Sequence, residues 1–369
     1  MLLALVVGVG WYFSSLVLKP QPYGLMPEFE LIDGSADTVT LPAPASRGQF
    51  ADTRRTGTYG LVWAGGHGVL GDVLSSSETQ LTRSLQVSAG EPPRSGEPAR
   101  LDTFVYRQNP QEDLGLAYEA LTLKGEVGNV QAWWLTGDAD TAVLMLHGRR
   151  RGDLPETLRV MPTLVGAGYS VLALAYRNHG RSSPSPDGFY HYGHSEWRDA
   201  LTGLEFLQNQ GVKRVVLYGF SMGGAVALET FKHLSGSAPA KLSVAAIILD
   251  SPLLDPRSVF RLGAENMGLP LAGPLTDLAL GVARLRAGVN WTALDQRRTA
   301  VHISVPVLLI AGAAEQTVPI AVVDDFAAAL PNAEYHRLED ADHVEAWNRD
   351  PAAYESWVSA FLQKHAALD

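Results

Sequence analysis

The residues best placed to do chemistry lie in Gly219-Phe220-Ser221-Met222-Gly223, where a hydroxyl has a glycine two places away on either side. A serine hydroxyl is a weak nucleophile until a neighbouring base takes its proton. The glycine spacing offers a way to present it. A chain that turns from strand to helix within a couple of residues holds its central residue in a strained conformation, and glycines remove the Cβ atoms that would collide. Val215-Val216-Leu217-Tyr218 reads as the strand and Ala225 to Leu234 as the helix. The hydroxyl then stands at the strand's carboxyl end, beside a helix N-terminus whose free N–H groups and dipole favour a developing negative charge. This is G-x-S-x-G in the strand–turn–helix setting it requires.

Such a nucleophile needs a base, an acid to orient the base, and donors for an oxyanion. Of the 10 histidines, His343 follows the strand-like run Glu334 to Leu338, where its imidazole can reach the hydroxyl; His336 lies inside that run and His365 near the C-terminus. Glu315 follows the apolar run Val305 to Ile310, and a carboxylate there can accept Nδ1–H and hold the working tautomer. Asp250, which ends the run Val244 to Leu249, is the alternative acid. The oxyanion hole is expected from the backbone N–H of Met222 and from the His147-Gly148-Arg149 turn, with Arg149 as the second donor. His147 itself reads as a residue that fixes this loop. In Arg149-Arg150-Arg151 a guanidinium could bind a substrate carboxylate or phosphate; the plainer reading is a solvated charged loop.

The elements that must hold these residues follow from the pattern of the chain. From Tyr118 onward, strand-like runs at 118–123, 130–135, 141–146, 169–175, 215–219, 244–249, 305–310 and 334–338 are joined, after a first pair, by helical runs at 155–165, 195–208, 225–234 and 320–330; a last helix at 345–365 closes the chain. That rhythm predicts an α/β fold with a doubly wound, mostly parallel sheet. Trp133 and Trp134, adjacent in one strand, must face opposite sides. Residues 252–300 carry no strand and read as a helical cap over the carboxyl ends of the strands, where open α/β sheets place ligands. The Asn290-Trp291-Thr292 sequon is read as incidental.

Ahead of this domain the chain is different. Met1 to Leu18 is uncharged and apolar and ends at Lys19-Pro20, a length at the lower limit for a spanning helix, ~17–25 residues. It is expected to be an N-terminal transmembrane anchor or uncleaved signal, with the catalytic domain outside the cytoplasm. The proline-bearing stretch 20–56 reads as a linker or irregular wrap, 58–63 and 79–87 as strands, and 88–100 as a surface loop. Gly66 to Gly71 spells G-x-G-x-x-G, but no helical repeat or βαβ unit follows, so a glycine-rich hairpin is preferred to a dinucleotide site. The expected division is an anchor at 1–19, a linker and β-rich accessory region at 20–116, and the α/β domain at 117–369.

Composition bounds the function. The 369 residues are 46% hydrophobic and 18% charged, enough for a large core, and the net charge of −10 argues against nucleic acid. With 0 cysteines, disulfides, thiol nucleophiles and thiolate metal sites are excluded.

Taken with these motifs, Tyr118 to Leu368 resembles the α/β-hydrolase superfamily in its serine esterase/lipase-like branch. Leu146-His147-Gly148-Arg149 is similar to the family's H-G-x oxyanion loop, Arg177 to Ser182 to its R-x-H-G-x-S turn, and Asp340-Ala341-Asp342-His343 to its histidine loop. Where the family usually has Asp in G-x-x-D-x-x-V-P, this chain has Glu315 within Gly312 to Pro319; either acid serves in such triads. The resemblance implies a serine hydrolase that cleaves an ester, thioester or lipid acyl bond through an acyl-enzyme on Ser221, with Glu315 and His343 completing the triad and no metal or organic cofactor. Its partners would be a small-molecule or lipid acyl substrate, and a membrane through residues 2–18. An acyltransferase, a peptidase, and a non-catalytic binding or scaffold protein on the same fold are the alternatives.

Overall fold

Segments such as Thr141–Leu146, buried at all 6 positions, can lie only where a sheet is covered on both faces. In the computed structural model, which describes residues 2–20, 27–43, 53–137, 140–149, 153–235 and 242–367, they do so. The chain begins with α1 (Leu2–Leu18). An accessory sheet follows, made of β1 (Phe29–Glu30), β2 (Asp33–Gly34), β3 (Thr38–Pro42), β4 (Tyr59–Trp63), β5 (Gly66–Ser76), β6 (Gln80–Gly90) and β7 (Pro98–Asp102). After the short α2 (Pro110–Leu114) come β8 (Glu119–Gly125), β9 (Gly128–Leu135), β10 (Thr141–Leu146), α3 (Met161–Gly166), β11 (Ser170–Ala175), α4 (Trp197–Asn209), β12 (Arg214–Phe220), α5 (Met222–Ser235) and β13 (Ser243–Asp250). The cap helices α6 (Pro256–Asn266) and α7 (Ala272–Ala287) precede β14 (Val307–Gly312), α8 (Ile320–Ala329), β15 (Ala333–Leu338), α9 (Ala346–Arg349) and α10 (Pro351–His365).

The main sheet has the order β15-β14-β13-β12-β10-β11-β9-β8. The six strands from β10 to β15 pair in parallel, and the β8–β9 hairpin adds an antiparallel edge. This is the doubly wound, mostly parallel architecture expected from the alternation. The period-2 pleat of β10 divides the core: Leu144 and Leu146 join α4, α5 and the cap on one face, while Val143 and Met145 join α3 and α10 on the other. Trp134 and Trp133 split between the same two faces. The last helical run is broken at Asp350-Pro351, whose proline opens α10 and whose Asp350 side chain caps it.

The seven accessory strands form an antiparallel sheet, order β1-β7-β4-β5-β6-β3-β2, around Leu41, Tyr59, Leu61, Trp63, Leu70 and Leu85. Two expectations are corrected here. The stretch read as a linker at 20–56 supplies β1, β2 and β3, and the proline-rich 88–100 carries the start of β7; Pro42 and Pro98 sit at strand ends, where a missing N–H is tolerated. Gly66 to Gly71 lies inside β5, as a hairpin strand rather than a phosphate loop.

The apolar segment expected to be an anchor forms α1. Among the described residues, no helix is long and apolar enough to cross a membrane, and α1 has 17 residues. It lies along α7: a Cβ on Gly10 would meet Val282 Cγ2 at 2.9 Å and Leu278 Cγ at 3.1 Å. Arg286 donates to Ser14 Oγ at 2.7 Å and Ser15 Oγ at 2.8 Å and stacks on Trp11. Val17 and Leu18 are buried in the hydrolase core. Apolarity in α1 thus serves the cap contact on one side, while Val7, Trp11 and Tyr12 stay exposed.

Candidate active site

Strand β12 ends at Phe220, α5 starts at Met222, and Ser221 joins them with φ 49°. A non-glycine residue in this left-handed region is strained, and the strain survives because the surroundings fix it. Ser221 N–H donates to Asp250 O at 2.9 Å, and Ser221 O accepts from Gly224 and Leu253 N–H at 2.9 Å each. The flanking glycines are required by contact. A Cβ on Gly219 would stand 2.5 Å from Gly223 O, and one on Gly223 would stand 2.0 Å from Leu146 O.

His343 Nε2 lies 2.8 Å from Ser221 Oγ. On the other side of the ring, Nδ1 pairs with Glu315 Oε1, which also accepts Val318 N–H at 2.8 Å. The structure therefore brings Ser221, His343 and Glu315 into one line. Burial disfavours charge on the imidazole, but Glu315 by its charge and hydrogen bond, with Glu156 and Asp342 behind it, raises the His343 pKa above the usual 6.5. Asp250, the alternative acid, does not reach the ring. It is fully buried, accepts Tyr354 O–H at 2.9 Å and Ser251 O–H at 3.2 Å, and its carboxyl pKa is raised by burial. Its visible part is structural, through the carbonyl that holds Ser221.

The turn His147-Gly148-Arg149 runs beside Ser221; a Cβ on Gly148 would lie 3.2 Å from Ser221 Cβ. Gly148 N–H is taken by Glu156 Oε2. Met222 N–H opens α5 and so belongs to the first four N–H groups that have no intrahelical partner. His147 is buried, with Nδ1 2.7 Å from Gly148 O and its ring stacked on Tyr176 at 4.3 Å. It sits in the loop without joining the line of three.

The Arg149 side chain is committed elsewhere. Its guanidinium donates to Val17 O at 3.4 Å and to Tyr192 Oη and packs over the Tyr192 ring. A cation there meets the negative end of α1, so the Arg149 guanidinium is already engaged within the chain. Arg150 and Arg151 lie outside the described residues.

Sequence reasoning missed Glu156. The pattern Asp153-x-x-Glu156 reads as a capping box that would turn this carboxylate back to its own helix start. Instead the carboxylate is buried and crosses to Gly148, and burial raises its pKa against the pull of Arg159. It also missed two further strained residues at the site, Ser251 (φ 44°) and Val344 (φ 54°), which are joined by Val344 N–H donating to Ser251 Oγ at 3.0 Å.

A parallel sheet with a serine on a strand-to-helix elbow and a histidine on the loop after the last strand is the arrangement of the α/β-hydrolase fold. The chain belongs to the alpha/beta hydrolase family, which matches residues 143–357. Residues 31–102 match a second family, a domain of unknown function (DUF8805). Over 91 residues the chain is 31% identical to a carboxylesterase of Bacillus subtilis (strain 168), covering 24% of this chain and 35% of the relative. The chain thus spans about a third of the length of that carboxylesterase. An esterase of Pyrococcus furiosus superposes with a TM-score of 0.55 and 25% identity over 71% of this chain and 95% of that one. A second crystal form of the same esterase has a TM-score of 0.54 and 25% identity over 70% and 96%.

Proposed function

We propose that this hydrolase cleaves a carboxylic ester, or a thioester or lipid acyl bond of the same chemistry, through an acyl-enzyme on Ser221. The observation that carries the reading is the unbroken line from Ser221 Oγ through the His343 ring to Glu315. The similarity to an esterase and to a carboxylesterase supports the choice of ester over amide. His343 Nε2 takes the proton of Ser221 as Oγ adds to the acyl carbonyl, and Glu315 stabilises the imidazolium and holds its tautomer. The carbonyl oxygen, now negative, lies against the N–H groups of Met222 and Arg149. Collapse expels the alcohol, which leaves with the proton from Nε2. Water then attacks the acyl-enzyme with His343 again as base, and the acid departs.

The test is turnover of p-nitrophenyl acetate, butyrate and octanoate by the full chain and by Ser221→Ala. Wild type should hydrolyse at least one of the series, and the substitution should lower kcat by about 10³-fold or more. Equal rates would remove Ser221 from the reaction, and a wild type inert toward every acyl chain would count against ester hydrolysis.

A further inference from the structure

The accessory sheet meets the hydrolase domain at the loop that carries His343, and the acyl transfer described above uses none of the residues that make the contact. Glu345, two residues past the histidine and 1% exposed, lies at the centre. Its Oε1 is paired with the Arg55 guanidinium and accepts Tyr59 O–H at 2.6 Å. Its Oε2 accepts Asp342 N–H at 2.7 Å. Asp342 passes the grip on: its Oδ1 accepts His343 N–H at 2.7 Å and Gln316 N–H at 3.0 Å, joining the loop of the base to the loop of the acid.

A second set of bonds holds α9, which follows the loop directly. Asn348 Nδ2 donates to Thr58 O and Thr103 O at 2.8 Å each, and Asn348 O accepts Thr58 N–H at 2.8 Å. The fit is tight enough that a Cβ on Gly57, which has φ 111°, would stand 2.1 Å from Asn348 O. The loop needs such holding. Val344, next to His343, is β-branched with φ 54°, a conformation that persists only where the surroundings over-determine it.

We propose that the accessory sheet is a clamp on the histidine loop, in which Arg55 and Tyr59 act through Glu345 as positioning residues for His343. Neither touches the reacting atoms. Both contacts join partners far apart in the chain, 290 and 286 residues. This gives a role to the 31–102 region, and it rests on the reading of Ser221, His343 and Glu315 as the reacting set.

Displacing a reacting group by about 1 Å costs on the order of 10²-fold, and removing one of several anchors should cost less. The experiment uses the full chain with Arg55→Ala, Arg55→Lys and Tyr59→Phe. Two quantities are read: kcat per fluorophosphonate-titrated serine, and amide exchange of residues 342–344. Arg55→Ala should lower kcat per titrated serine about 10-fold, with KM for a short ester little changed and most of the loss recovered in Arg55→Lys. Tyr59→Phe, which keeps its ring in the accessory core, should fall between and serves if Arg55→Ala does not fold. Exchange at 342–344 should rise in both. The proposal is overturned if kcat per titrated serine and loop exchange stay within twofold of wild type while Tm falls, which would leave a structural contact only. If wild type itself neither labels nor turns over, the hydrolase reading fails instead, and exchange at 342–344 alone decides the clamp, with unchanged exchange refuting it.

Discussion

Glu156 lies beneath the oxyanion turn with its carboxylate on the Gly148 N–H, and its charge is one of those that raise the His343 pKa. One side chain therefore holds the Gly148 turn and bears on the His343 imidazole. Glu156→Gln keeps an acceptor for Gly148 and removes the charge, so the acid limb of the pH–rate profile should move to lower pH with kcat at the plateau little changed. Glu156→Ala also leaves the turn unheld and should lower the plateau by about 10-fold or more, toward the ~10²–10³ of a lost oxyanion donor. Steady-state kinetics from pH 5 to 9 separate the two.

The sign of the pH dependence follows from the histidine. His343 works as a base only when neutral, and its partners hold its pKa above 6.5. Hence kcat/KM should fall as pH drops through a value above 6.5, and Glu315→Gln should move that limb down while lowering kcat by about 10²–10⁴-fold. The linked stability runs the other way: it is fully present below the unfolded-state value and is lost as pH rises through the folded one. The Tm advantage of wild type over His343→Gln should accordingly be larger at pH 5.5 than at pH 8.5.

Gly223→Ala places a methyl group 2.0 Å from Leu146 O, backbone that cannot yield without moving β10. The substitution should cost about 1–3 kcal/mol or more, read as a lower Tm, with loss of labelling at Ser221 in whatever protein still folds.

The elbow was legible from sequence because every cause of it is local. The β-branched strand, the two glycines and the small-residue helix are contiguous, and strand–helix alternation supplies the sheet that carries them. His343 and Glu315 were legible by their order after particular strands. Contacts made across the fold were not. Tyr59 and Arg55 meet Glu345 from 286 and 290 residues away, and no periodicity encodes such a pairing. The same limit explains α1: its apolar composition is plain in the sequence, but that it packs by Gly10 on Val282 and Leu278 depends on a helix far along the chain. Strands β1 and β2, at 2 residues each, are too short for alternation to reveal.

The docking of α1 can be tested on its closest approach. Gly10→Leu puts a branched side chain where Val282 Cγ2 already lies 2.9 Å from the Cβ position. Amide exchange along α7 should rise relative to wild type; unchanged protection would show that α1 does not rest on that helix.

Fluorophosphonate labelling followed by peptide mass spectrometry reads the reactivity of the Ser221 hydroxyl itself. The added mass should fall on the peptide containing Ser221 in wild type and be absent in Ser221→Ala, with labelling slowed by about 10²-fold or more in His343→Ala. Labelling of Ser221→Ala at the wild-type extent, or of His343→Ala at the wild-type rate, would contradict the proposed acyl-enzyme.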